Sequence, residues 1–259
     1  MFEPNSTIGW ATSRLMATAR DLLTFLRAPK LPDNGAQIAG QMKGKPSDLI
    51  WLFLINCMIV AASAIVLFPV MLAFDVSMSN SMSDLFQRPV WQLLLIVVIA
   101  GPIVEELMFR SWLSGSPRLL IPFFGLILWM ALTYSYEQLG WAGPAAMGTA
   151  PLLAVIAGVV LIGVIIFWKR PVPGWYVRIF PVVFWIQALL FGSVHVFNYA
   201  GDNPAALLPF VLPQTVGGLI WGYARIRHGW WANIAMHMAY NLIATSGLVY
   251  VLLTRPDVL

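Results

Sequence analysis

Apolar positions along the chain gather into seven long runs: Leu49–Phe74, Val90–Trp112, Leu119–Tyr136, Pro151–Trp168, Phe180–Phe197, Ala205–Ala224 and Trp230–Leu253. A helix needs about 20 mainly apolar residues to cross a hydrocarbon core of roughly 30 Å, and these runs meet or approach that length. Hydrocarbon offers no partner to free N–H and C=O groups, so a spanning segment must be a helix or a barrel strand. The alternating ten-residue pattern of a barrel is absent. The pattern therefore predicts an all-α fold, a polytopic membrane helix bundle of about seven transmembrane helices. Trp51, Trp91, Trp112, Trp168, Trp230 and Trp231 fall near run ends, where an amphipathic ring is expected at the interface.

Ahead of the first run, Ile8, Ala11, Leu15, Ala19, Leu22 and Leu26 recur at helical spacing, which predicts an N-terminal interfacial amphipathic helix. No charged-then-apolar leader with a small-residue cleavage site precedes it, so this segment is expected to stay in the mature protein. Residues Ala28–Lys45, rich in Gly, Pro and Lys, form a linker. The chain thus divides into an N-terminal helix and linker, 1–48, and a transmembrane domain, 49–259, whose polar motifs occupy 90–253.

Composition narrows the class further. Of 259 residues, 59% are hydrophobic and 10% charged, against about 25% charged in a soluble domain. An ordinary soluble enzyme, a disordered tail and a disulfide scaffold are all excluded, since the single Cys57 has no intrachain partner. Cations are distributed unevenly along the chain. Arg14, Arg20, Arg27, Lys30, Lys43, Lys45, Arg110, Arg118, Lys169, Arg170, Arg178, Arg225 and Arg227 fall on one side of a seven-span bundle, and only Arg88 and Arg255 on the other. The positive-inside rule then puts the N-terminus in the cytoplasm and the C-terminus outside. The basic excess is topological, so the bilayer is a partner and nucleic acid is not.

The informative positions are those that break the apolar pattern, because an ionisable group at mid-helix costs roughly 2.5–3.5 kcal/mol even on the lenient insertion scale. Glu105, Glu106 and Arg110 lie in the second run, His195 in the fifth, and His237 and Asn241 in the seventh. Glu106 and Arg110 are four apart and share a face, while Glu105 is rotated about 100° from its neighbour. Glu106 can be neutralised by Arg110, which leaves Glu105 as an unpaired carboxylate in a desolvating setting suited to a general base. His237 and Asn241 project together, and Phe191, one turn before His195, can seat that imidazole. If the three helices converge, a carboxylate, two imidazoles and a carboxamide make a hydrolytic site. A transporter or proton relay, or a non-catalytic scaffold or immunity protein with the same pocket, remains the alternative. His228 reads as a loop residue, and Gly218 with Gly222 as a close-packing step.

Glu-Glu-x-x-x-Arg, Phe-x-x-x-His and His-x-x-x-Asn, in this order on separate membrane helices, resemble the CPBP (CAAX protease and bacteriocin-processing) family of intramembrane endopeptidases, which contains the Ras-converting CAAX prenyl protease. The similarity covers Val90 to Leu253; Ser111 departs from it, where the family often has Gly. The resemblance implies Glu105 as the base activating water, His195 holding that water, and His237 with Asn241 stabilising the oxyanion. Glu106 and Arg110 would support the site. It also implies two alternative chemistries: metal-free water activation, or a zinc peptidase with His195, His237 and Glu105 as ligands and one open position. The implied substrate is a peptide or lipidated membrane protein, and the compact chain fits a bacterial inner (cytoplasmic) membrane.

On this topology the site is expected in a cavity open to the cytoplasm. Glu105 lies roughly 22 Å from the outer start of its span, whereas His195, counted from the cytoplasmic start of the fifth, falls too deep by roughly 12 Å. Catalysis requires the two within hydrogen-bond or one-water distance. Either the fifth span enters late, at Pro181, or it is strongly tilted.

Overall fold

A computed structural model describes residues 7–32, 45–138, 145–201 and 204–254. Most of the linker, with Lys43, and the C-terminal Arg255 lie outside them. The described chain is a helix bundle, in line with the hydropathy pattern. Helix α1 (Thr7–Arg27) precedes α2 (Pro46–Ala73), the first span. A short strand β1 (Ser77–Met78) and helix α3 (Asn80–Phe86) link it to the second span. That span is composite: α4 (Val90–Leu93), a π-helical stretch Leu94–Ala100, α5 (Gly101–Arg110) and a 3-10 turn Trp112–Ser114. Helices α6 (Pro117–Gln138), α7 (Ala145–Phe167) and α8 (Gly174–Val194) follow. After a 3-10 turn His195–Asn198 come β2 (Tyr199–Ala200), α9 (Pro204–Leu207), α10 (Leu212–His228) and α11 (Trp230–Thr254). Six helical segments among the described residues are long and apolar enough to cross a membrane, and Pro151–Phe167 of α7 is a shorter apolar helix.

Their outward faces carry side chains that water would not tolerate, such as Ile65, Val66, Phe68 and Leu72 on α2 and Val159 and Ile165 on α7, all exposed. A lipid environment accounts for them. The chain is a multi-pass membrane protein.

The central helix is α10, which is buried almost continuously from Gly217 to Ile226. It packs against α8 through small residues. A Cβ added at Gly218 would stand 3.1 Å from the Ala188 backbone, and one at Gly222 would meet Gln187 at 2.8 Å and Phe184 at 3.0 Å. Gln187 donates from Nε2 to the Gly218 carbonyl at 3.2 Å, closing the same seam. This is the small-residue packing that membrane helices use in place of a hydrophobic driving force. Around it Leu52, Phe180, Phe184, Phe191, Ile220 and Ala232 form the core.

Helix α1 is amphipathic as its spacing predicts, yet it does more than rest on lipid. Leu22 is buried, Leu15, Ala19 and Leu26 pack against the core, and Phe25 meets Phe184 and Tyr223 edge-on at 5.0 and 5.1 Å. Arg14 pairs with Asp48 at the start of α2 at 2.7 Å. At the opposite end of the bundle, β1 and β2 form an antiparallel pair that ties the link between the first two spans to the link after α8.

Three expectations change. Trp112 is buried and stacked on Phe123 at 4.5 Å, so it is a core residue rather than an interfacial one. His228 ends α10 and is buried, not in a loop, because that helix runs four residues past Ala224. The fifth span starts at Gly174, and Pro181 sits within α8 instead of opening it.

The α8–α10 seam yields a stability prediction. Gly218→Val forces the two backbones apart and should cost about 1–3 kcal/mol, read as a lower thermal unfolding midpoint in detergent. Gly158→Ala, where an added Cβ meets nothing within 4 Å, should leave that midpoint unchanged or slightly raised.

Candidate active site

The second span positions the paired glutamates, and a proline shapes it locally. In the π-helical stretch each N–H reaches back five residues, as Gly101 N does to Ile96 O. The next donor in that pattern would be residue 102, which is Pro102 and has no N–H, so the Val97 carbonyl has no helical donor. Asn241 of α11 supplies it, its Nδ2 donating to Val97 O at 2.8 Å.

Beyond Pro102, α5 turns Glu106 wholly into the protein. Glu106 Oε1 accepts from Arg110 Nη1 and from Nδ1 of His237 at 2.8 Å, and Oε2 accepts from the Asn233 amide. Asn233, His237 and Asn241 recur every four residues on one face of α11. Arg110 is fully buried, with its guanidinium 4.2 Å from the centre of the Phe191 ring and 5.4 Å from that of Trp221. Trp221 also stacks on His237, with centroids 4.0 Å apart and planes at 21°.

Glu105, rotated off that face, keeps a third of its side chain exposed, and its Oε2 lies 3.8 Å from His195 Nε2 and 3.7 Å from His237 Nε2. No hydrogen-bond partner reaches Oε2 among the described residues. Such separations are too long for direct hydrogen bonds and suit a single bridging water. The other nitrogen of each imidazole is committed. His237 Nδ1 faces the Glu106 carboxylate, and His195 Nδ1 lies 2.6 Å from the carbonyl of Phe191 in the last turn of α8. Both partners are acceptors, so each Nδ1 must carry the hydrogen, and a neutral imidazole presents a bare Nε2 lone pair to Glu105.

All seven motif residues expected from sequence therefore converge. Glu105, His195 and His237 face one point; Glu106 and Arg110 brace His237; Phe191 seats His195 by its carbonyl and its ring, centroids 4.6 Å apart; and Asn241 is anchored beside them. Tautomer and anchoring constrain the implied oxyanion roles. His237 can donate from Nε2 only after taking up a second proton, and Asn241 has one N–H left once Val97 is served.

The apparent depth mismatch of His195 also has a physical answer. Glu105 meets His195 and, four residues on, Phe109 meets Phe191 at 5.3 Å, an antiparallel register. The Tyr176 hydroxyl donates to Trp112 O at 2.7 Å. That contact is about 10 Å of helix from Glu105 but about 28 Å from His195. The register of these contacts, and not the count of residues from a span start, therefore sets the level at which His195 meets Glu105.

Zinc would draw its ligands to bonds of about 2.0–2.2 Å, and so bring donor atoms to within roughly 3.5 Å of each other. The two measured separations are wider, and no group of three or more His, Cys, Asp and Glu among the described residues is arranged to hold a metal ion. Glu105, His195 and His237 carry the donor atoms that would hold such an ion, at separations a few tenths of an ångström wider than ligation would set.

A cavity of about 370 Å³ adjoins Glu105, His195, His237 and Asn241. Its walls include Met82 and Leu85 of α3 and Asn198 of the turn after α8. None of its lining residues comes from α1 or from the links beside it. The cavity thus extends toward the end of the bundle opposite α1. An N-terminus and a cavity mouth on the same cytoplasmic side, both expected from sequence, are incompatible, because α2 crosses once between α1 and α3.

Sequence reasoning missed Asn233, Trp221 and Asn56. Asn233 carried a usable signal, four residues before His237, whereas Trp221 had none, because tryptophan in a membrane helix suggests the interface. No curated protein and no solved structure matches the chain. The family model described as type II CAAX prenyl endopeptidase Rce1-like matches residues 87–243, more than half of the chain and the whole stretch from Glu105 to Asn241. With the motif residues gathered around one point inside that stretch, the chain belongs to the type II CAAX prenyl endopeptidase Rce1-like family.

Proposed function

We propose that the protein is an intramembrane endopeptidase that hydrolyses a peptide bond with water activated by Glu105. The observation that carries this reading is the approach of Glu105 Oε2 to both imidazole Nε2 atoms, at 3.8 and 3.7 Å, while each Nδ1 is tied elsewhere. Water at that point meets up to three acceptors, which orient its lone pair away from the protein and toward a carbonyl carbon. Glu105 takes one water proton as the new C–O bond forms. The oxyanion is met by the remaining N–H of Asn241, with help from His237 when its imidazolium is balanced by Glu106. Collapse breaks the C–N bond as Glu105 returns its proton to the departing amine, and the second water proton passes from the new carboxylic acid to that amine, leaving a carboxylate and an ammonium. The substrate class is a peptide on a membrane-associated or prenylated protein, following the family.

Orientation follows from the cations. Among the described residues, and leaving aside Arg110 buried in the site, eleven Lys and Arg fall toward the α1 end and Arg88 toward the other, so the α1 end is assigned to the cytoplasm and the cavity end outward. Substrate peptide then enters from the non-cytoplasmic face.

Two outcomes check this reading. Glu105→Gln should lower kcat by about 10²–10⁴ with KM within a few fold, measured on a peptide library with purified protein; equal turnover by both proteins would overturn the assignment. In a Cys57→Ser background, Asp84→Cys on α3 should react with a membrane-impermeant maleimide in intact bacterial cells, and Arg20→Cys on α1 only after permeabilisation. The reverse pattern would place the cavity on the cytoplasmic face.

A further inference from the structure

The cavity holds a polar group that the chemistry above does not use. Asn56 lies on α2 in the buried series Leu49, Leu52, Asn56, and it lines the cavity together with Val60 one turn on. It is wholly buried, and neither Oδ1 nor Nδ2 has a hydrogen-bond partner among the described residues. Membrane helices place an amide at such depth where it meets another helix or a ligand. Here the helices packed against it offer its amide no hydrogen bond among the described residues. It also lies outside residues 87–243, the stretch that the family model matches. Elsewhere in the lining, Gln214 of α10 keeps Oε1 buried and unpartnered, while its Nε2 donates to the Tyr199 hydroxyl at 3.4 Å.

A carboxamide offers one acceptor and two donors side by side. An extended peptide residue presents its own N–H and C=O on one edge, the pair that strands exchange in a ladder. A carboxylate could take only the N–H and an ammonium only the C=O, so Asn is matched to both. We propose that Asn56 docks the main chain of an extended substrate peptide in the cavity, with Gln214 Oε1 accepting a further N–H. The inference rests on the peptidase reading and adds how the peptide is held. Main-chain recognition of this kind is indifferent to side-chain identity. It sets affinity and register, while Glu105 and the histidines act on the scissile bond. Asn56 is thus a positioning residue.

The test compares wild type with Asn56→Leu, purified in detergent, on two probes: a quenched-fluorescent octapeptide library, and a quenched-fluorescent peptide ending in S-farnesylated Cys-aliphatic-aliphatic-X. Each cleaved sequence is re-made with single N-methylated peptide bonds. Asn56→Leu should raise KM about tenfold to a hundredfold with kcat within about threefold, the signature of binding lost equally from ground and transition states. One N-methyl position should cost wild type about tenfold and Asn56→Leu nothing. The variant's thermal unfolding midpoint should equal or exceed that of wild type, because an unpaired buried amide is replaced by an apolar group of the same branched outline, whose extra bulk the adjoining cavity can take. An unchanged KM, an equal N-methyl penalty in both proteins, or a lowered midpoint would overturn the proposal in favour of an amide that only hydrates or packs the cavity. Failure of wild type to cleave either probe would instead sink the peptidase reading, and the docking role with it.

Discussion

The Glu106 carboxylate is the interaction on which the site depends. It is completely buried, and it is held there by the Arg110 guanidinium, the Asn233 amide and the Nδ1–H of His237. An isolated charge at that depth would be prohibitive, and even a paired one is stable only when its remaining lone pairs are hydrogen-bonded, as they are here. Arg110 in turn rests on the faces of Phe191 and Trp221. Because Glu106 can only accept, it settles which nitrogen of His237 bears the hydrogen, and so what the imidazole offers to Glu105. Two adjacent glutamates thereby acquire different tasks from environment alone, one orienting an imidazole and the other left with a free oxygen.

A second constraint brings the three helices to a common level. Pro102 leaves the Val97 carbonyl without a helical donor, and Asn241 meets that need, pinning α11 to the second span within two turns of Glu105. On the other side, the glycine seam lets α8 approach α10 closely, and α8 ends exactly where His195 must turn its ring back onto the Phe191 carbonyl. Backbone groups that a helix cannot satisfy internally have thus been used to fix side chains at the site. A π-helical stretch beside reactive residues fits the general association of such bulges with function.

The position of the cavity follows from the same topology. α3 and the turn after α8 line it, and the β1–β2 pair binds their two links together at that end. α1, by contrast, is anchored to the far end of α2 by Arg14 and Asp48. The bundle therefore has one charged, α1-covered end and one cavity end.

Hydropathy and spacing along single helices determined a good deal. The helical spans, the amphipathic character of α1, the shared face of Glu106 and Arg110 and that of His237 and Asn241 were all legible, because each is a property of one helix with a period of 3.6 residues. Even Asn233 was within reach of the same rule. What spacing cannot carry is the relation between helices. Whether Glu105, His195 and His237 meet depends on the antiparallel register of α8 against the second span, on a glycine seam between α8 and α10, and on a π-helical stretch that shifts the register. The burial of Trp112 and Trp221, the end of the bundle that holds the cavity, and the placement of Asn56 in its wall were likewise decided only by tertiary structure. The physical reason is that a sequence pattern reports the face on which a side chain lies, whereas distance across an interface is set by how closely, and at what angle, two such faces can pack.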